Sequence, residues 1–154
     1  MTEMTLPAGD SGAGELVLAQ LPPNPTYEQI RELEREIAKL PPVDAPITHH
    51  FADGIYGREM FIPAGTVLTG KIHRFATLNI LLEGEIHVTT DSGVERVVAP
   101  QVYVSPPGTK KVGYAHTDVR FLNVHPTKLR DIEAIEAKFI VPEEPLLRHE
   151  ENER

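Results

Sequence analysis

Apolar and polar residues change period twice along the chain. Over residues 27–40 they recur at helical spacing, with Ile30, Leu33, Ile37 and Leu40 forming one apolar stripe. Thr26 is placed to cap this helix, Glu28 sits near the positive end of its dipole, and Pro41-Pro42 stops it. So short a helix needs packing to be stable. Its stripe therefore lies on the domain surface or serves as a contact with another protein.

From Ile47 the period shortens to that of strands separated by turns. Residues 55–62 end at Pro63-Ala64-Gly65. The run 78–82 reads as a strand covered on both faces. Ile86 and Val88 alternate with Glu85 and His87, which predicts a half-buried strand with His87 toward solvent. Asp91-Ser92-Gly93 predicts a hairpin turn. Residues 94–98, 102–105 and 119–124 read as further strands, closed by Pro100, by Pro106-Pro107-Gly108 and by Pro126. Many short strands at regular spacing predict a sandwich or barrel. The helical period returns over residues 127–139, with Leu129, Ile132, Ile135 and Phe139 on one face and Pro142 beyond.

The organisation that follows is an arm with one helix over 1–45, a β-barrel over 46–126, and a helix with a charged tail over 127–154. The arm is rich in proline and small residues, as a flexible segment is. Its apolar run Leu16-Val17-Leu18-Ala19 is expected to dock as an extended strand, on this barrel or on a neighbour. Leu16, Val17 and Leu18 thus join Ile30, Leu33, Ile37 and Leu40 as candidate protein contacts.

Charge narrows the partners. The 154 residues carry a net charge of −8, distributed as −5 over residues 1–45, 0 over 46–126 and −3 over 127–154. No basic patch suits a phosphate backbone or an anionic membrane, so neither nucleic acid nor membrane is expected as a partner. No apolar run approaches the ~20 residues of a membrane-spanning helix. The first 14 residues lack a basic start and an apolar stretch, so a cytoplasmic location is expected. The absence of cysteine excludes disulfides, thiolate metal sites and cysteine nucleophiles.

The order of turns resembles a known family. Ile62-Pro63-Ala64-Gly65, then His73, then Leu81-Leu82-Glu83-Gly84-Glu85 resembles the first cupin motif, and Ser105-Pro106-Pro107-Gly108 the second. More narrowly, four stretches are similar to small cupin-like proteins of tailed phages and prophages. They are His49-His50-Phe51-Ala52-Asp53-Gly54, Leu78-Asn79-Ile80, Pro107-Gly108-Thr109-Lys110-Lys111-Val112-Gly113-Tyr114 and His125-Pro126. The resemblance implies an all-β fold, a single cupin-type jelly-roll barrel that often pairs as a dimer.

It also implies a metal site, whose ligand positions fall here on Lys71, His73, Thr77 and Lys111. Of these, only His73 keeps a side chain of the ligand type, so it alone is a weak metal candidate. An ammonium has no lone pair to donate, and one imidazole does not hold a divalent ion. No cofactor is therefore expected. A divalent metal remains conceivable only through an unusual set joining His73 to other histidines. His49 and His50 face opposite ways in a strand and do not share a metal easily.

Three functions are open. The first is a non-enzymatic structural or assembly protein, a homo-oligomer or a partner of other structural proteins. By the phage resemblance it would be a capsid decoration or tail-associated component. The second is a metal-dependent oxygenase or isomerase. The third is a module binding a small anion through Lys71, His73 and Lys111, which share strand parity or register toward the barrel. Against the third stands simple pairing of Lys71 or Lys111 with Glu59, Glu83 or Glu85. A structural protein would fill its barrel with Leu81, Ile86, Val88 and Val104 and leave no pocket.

Overall fold

A computed structural model describes residues 4–6, 21–22, 24–90 and 93–146. Leu16, Val17 and Leu18 lie outside these residues.

Strand β1 (Met4–Leu6) and helix α1 (Tyr27–Ile37) precede the barrel strands β2 (Ile47–Ala52), β3 (Ile55–Ile62) and β4 (Val67–Thr69). Then come β5 (Thr77–Glu83), β6 (Glu85–Thr90), β7 (Gly93–Val98) and β8 (Gln101–Ser105). Strands β9 (Val112–Ala115) and β10 (Val119–Pro126) close the barrel, and helix α2 (Ile132–Phe139) follows. All pairings are antiparallel within two five-stranded sheets, ordered β2-β3-β10-β5-β8 and β1-β4-β9-β6-β7. Strands β3 to β10 thus divide four and four in jelly-roll order, with β2 and β1 added at the edges.

The main core lies between the sheets. Met60, Ile62, Leu81, Ile86, Val88, Val97, Ala115 and Val119 are buried there in one cluster. Val104 does not join them: it is 63 % exposed, on the outer face of edge strand β8. Strand β5 is not covered on both faces either. Thr77, Asn79 and Leu81 are buried while Leu78 is exposed, the alternation of an antiparallel sheet with one open face.

Helix α1 opens on a capping box. The Thr26 hydroxyl accepts from the Gln29 amide, and the Gln29 side chain accepts from the Thr26 amide. Its stripe covers the outer face of the second sheet, where Ile30 packs on Val67, Val112 and Tyr114. Ile30 and Ile37 are therefore buried in their own fold and are not contacts for a partner. Leu33 packs partly against the same clusters, and Leu40, beyond the helix end at Ile37, is exposed.

Helix α2 starts at Ile132, later than the apolar period suggests. The Asp131 carboxylate accepts from the Ala134 amide as N-cap, while the Thr127 amide still bonds the Gly54 carbonyl. Leu129 is consequently exposed. Ile135 and Phe139 pack on Tyr56 and close one end of the barrel.

His87 points away from the core as its strand parity requires, but it is only half-exposed. Its Nδ1 lies 2.6 Å from Nε2 of His116 on the same outer face.

At the β5–β6 corner, Gly84 has φ +92°, and a Cβ there would stand 2.2 Å from the Asp118 carbonyl oxygen. Gly84→Ala is expected to cost about 2 kcal/mol from backbone strain and crowding. Urea unfolding checks this, and an unchanged midpoint would mean that the corner relaxes freely.

Candidate functional site

The first sheet turns three rows of side chains inward, as its register dictates. One row is largely apolar, with Ile47, Met60, Phe121 and Leu81 in successive register. The next is polar, with His49, Arg58, Asn123, Asn79 and Tyr103. The third begins Phe51, Tyr56, His125. The second sheet faces them with Leu68, Gly113, Ile86 and Val88.

Between the sheets lies a cavity of about 110 Å³. Lys71, His73 and Lys111 all line it, so the structure brings the three sequence candidates together. The backbone explains how. The Gly70 amide bonds the Lys111 carbonyl at 2.9 Å, which sets the two lysine-bearing segments side by side. His73 forms a β-bridge with Ile140, and the Val141 amide bonds the Ile72 carbonyl, so the chain after α2 holds the His73 segment in place.

Among the described residues, no aspartate or glutamate lines this cavity. The carboxylates expected to neutralise the lysines have other partners. Glu59 accepts from Arg120 at 3.1 Å and lies 3.2 Å from His50; Glu83 accepts from Arg120 at 2.9 Å. Glu85 pairs with Arg96. The hydrogen bond from Arg120 holds the Glu59 carboxyl below its usual range. Lys71 also borders a second cavity, of about 330 Å³, together with Glu34, Glu136 and Glu143. Glu34 and Glu143 are themselves paired with Arg31 and Lys110.

The Lys111 ammonium lies 5.2 Å from the centroid of the Tyr103 ring. Burial pushes the Tyr103 hydroxyl up to about 12, so it remains a neutral donor. The two asparagines mostly satisfy each other. Asn79 accepts from Asn123 at 2.6 Å and donates to Ser105 Oγ at 2.7 Å and to the Thr77 carbonyl at 3.0 Å.

Behind His73 stands His125, with ring centroids 5.6 Å apart. His125 is 2 % exposed, and its Nε2 has no hydrogen-bond partner among the described residues. Burial, then the neighbouring His73 and Arg58, push His125 down to about 4, so it is neutral at pH 7. Burial also lowers His49, whose Nδ1 lies 2.7 Å from the Tyr56 hydroxyl.

Sequence reasoning overlooked Asn79, Asn123, Tyr103 and Arg58. Strand parity carried the signal: Asn123 shares the parity of the inward Phe121 and His125, and Asn79 that of Leu81.

The cupin metal does not fit these residues. Lys71, His73 and Lys111 bring one imidazole and two ammonium groups to the cavity, while Thr77 is not among its lining residues and donates its hydroxyl to the Phe75 carbonyl at 3.1 Å; this is not a divalent donor set. Among the described residues, no three or more His, Cys, Asp or Glu side chains converge on a metal position.

Two four-stranded halves in the order β3-β10-β5-β8 and β4-β9-β6-β7, joined around a central cavity, decide the architecture. The fold is an all-β cupin-type jelly roll. Similar solved structures include a cupin superfamily protein from Desulfitobacterium hafniense DCB-2. It is 14 % identical, with 71 % of this chain and 99 % of that one covered and a TM-score of 0.47. An RmlC-like cupin family protein with a double-stranded β-helix fold, from Methanocaldococcus jannaschii, is 13 % identical, with 55 % and 81 % covered and a TM-score of 0.45. An acetylacetone dioxygenase from Acinetobacter johnsonii is 17 % identical, with 54 % of this chain covered and a TM-score of 0.43. This chain spans 61 % of the dioxygenase's length. These likenesses are of fold alone. No protein-family model matches the sequence, and no curated protein matches it.

Proposed function

We propose that the barrel cavity of this cupin fold binds a small anion, held by Lys71 and Lys111 with His73 beside them. The observation that carries this reading is that Lys71, Lys111 and His73 border one cavity between the sheets, with no acidic side chain among its described lining residues. Ammonium groups attract an anion most strongly where water is partly excluded. The enzyme alternative, a metal-dependent oxygenase or isomerase, needs donors that these positions do not supply.

The test is titration of the protein with sodium benzoate and with neutral benzamide at constant ionic strength, followed by amide NMR shifts. Saturable shifts around residues 70–73 and 109–113 are expected with benzoate. Lys71→Met and Lys111→Met should each weaken binding about tenfold with the fold intact. Equal binding of benzamide, or lysine variants that bind as wild type, would remove the anion reading.

A second reading, assembly with copies of itself or with other structural proteins, is favoured by one surface. Val102 and Val104 are 61 % and 63 % exposed on the outer face of edge strand β8, with Leu78 exposed opposite Val104 on β5. Contiguous apolar side chains of this kind suit a protein contact. Light scattering of the same preparations addresses it, and a monomer at every concentration would leave it without support. The phage and virion part of that reading rests on the sequence resemblance alone. No helix among the described residues is long and apolar enough to cross a membrane.

A further inference from the structure

The outer face of the first sheet becomes apolar toward its β8 edge. Register sets two outward rows across β10, β5 and β8. One holds Leu122, Ile80 and Val102, the next Val124, Leu78 and Val104. Leu78, Val102 and Val104 are 39 %, 61 % and 63 % exposed. Contiguous apolar side chains of this kind make a patch of the few hundred Å² that marks a contact site. Neither helix covers it, since α1 packs on the second sheet and α2 on Tyr56 at one end of the barrel.

We infer that this block is a two-fold interface, on which a second copy of the chain packs face to face, sheet on sheet. The inference deepens the assembly reading and rests on it; it is independent of the anion site.

Charge favours a copy over a different protein. The six side chains are uncharged, so a second copy meets no like charge there, although the chain carries −8. An oppositely charged partner finds nothing to pair with. The charges bordering the block are spent on one another: Arg120 lies 3.1 Å from Glu59 and 2.9 Å from Glu83. A flat apolar face is its own complement about a two-fold axis, the commonest symmetry of soluble oligomers. Two such faces pack at the ~10 Å spacing of a sandwich.

The rest of these 154 residues does not suit the block. Residues 7–20 run from Leu6, paired on β4, to Leu21, packed on the Ile30 cluster, so both ends are tied to the second sheet. Extended out and back, that length reaches about 24 Å, most of it spent in rounding the barrel. Residues 148–154 are all charged or polar, and burying them against valine and leucine would strand them. The patch is smaller than the ~800 Å² per partner of a standard interface, so a dimer of roughly micromolar affinity is expected.

Sedimentation equilibrium of the full chain from about 1 to 500 µM tests this. A monomer–dimer equilibrium is expected, which Val104→Glu weakens at least about tenfold by placing a carboxylate in the apolar contact. Val104 is exposed in the single chain, so the variant should keep the wild-type circular dichroism; Val102→Lys takes its place should it misfold. Val94→Glu, on β7 of the other sheet and 45 % exposed at the wild-type residue, should dimerise as wild type. A dimer that Val104→Glu and Val102→Lys leave intact would overturn this interface while the assembly reading stands. Equal weakening by Val94→Glu would overturn it as a plain effect of added charge. A monomer at every concentration would overturn both, and leave the face to a different protein.

Discussion

Glu34→Ala is expected to destabilise the protein by about 3–5 kcal/mol, the usual cost of removing one partner from a buried ion pair. The Glu34 side chain is 3 % exposed and lies 2.9 Å from Arg31 and 3.1 Å from Lys110. It also accepts from the Thr69 hydroxyl at 2.6 Å. Arg31 and Lys110 share a second carboxylate, Glu143, at 3.3 and 2.9 Å. Two cations and two anions thus neutralise one another between α1, the edge of the second sheet and the chain after α2. Truncation at Glu34 leaves two buried cations on one carboxylate. The thermal midpoint should fall by about 10 °C for a domain of this size. Replacing Glu34 and Lys110 together by leucine and methionine should cost less, because no charge is then stranded. Denaturant unfolding of the single and double variants measures this. A loss below ~1 kcal/mol for the single variant would show that water reaches and screens the cluster. Because the same strap carries Val141 onto Ile72, the cluster also steadies the segment bearing Lys71 and His73.

Acidification between pH 6.5 and 4 is expected to weaken the fold through His125. Above pH 6.5 the imidazole is neutral in the folded and unfolded chains, and its contribution is fully present. Below that, the unfolded chain takes up a proton, but the folded chain does not until about pH 4, where burial has placed this group. Stability therefore falls with pH across this window, by up to about 3 kcal/mol at ~1.4 kcal/mol per unit, and then levels off for this residue. His125→Phe removes the proton while keeping an aromatic ring beside Tyr56 and Phe139. Urea midpoints from pH 7.5 to 4.5 should show a shallower slope in this variant. Parallel slopes would show that His125 protonates in the folded state without penalty.

The hairpin of β6 and β7, the capped helix α1 and the ends of most strands were legible because turn residues and apolar period act locally. Reading β5 as covered on both faces failed. The run 78–82 reads as apolar despite the inward Asn79, and only parity against β10 and β8 separates it from the exposed Leu78. The start of α2 was misplaced because the apolar period continues backward to Leu129, whereas the Asp131 cap and the Thr127–Gly54 hydrogen bond decide the boundary. Val104 was expected inside for its apolarity, yet strand alternation with the inward Tyr103 and Ser105 turns it outward.

By itself, the sequence determined the strand-rich class and the side-chain chemistry at Lys71, His73, Thr77 and Lys111, positions that only the resemblance to cupins groups together. These follow from residue chemistry and from the two-residue period of a strand. Only the tertiary structure decided that Glu59, Glu83 and Glu85 are engaged by Arg120 and Arg96, away from the described lining of the cavity. It alone placed Ile30 and Ile37 against the protein's own second sheet, and His125 in a buried, neutral position behind His73. The physical reason is the same in each case. Pairing, burial and electrostatic environment depend on contacts between residues far apart in the chain, and local pattern carries no information about distance across a barrel.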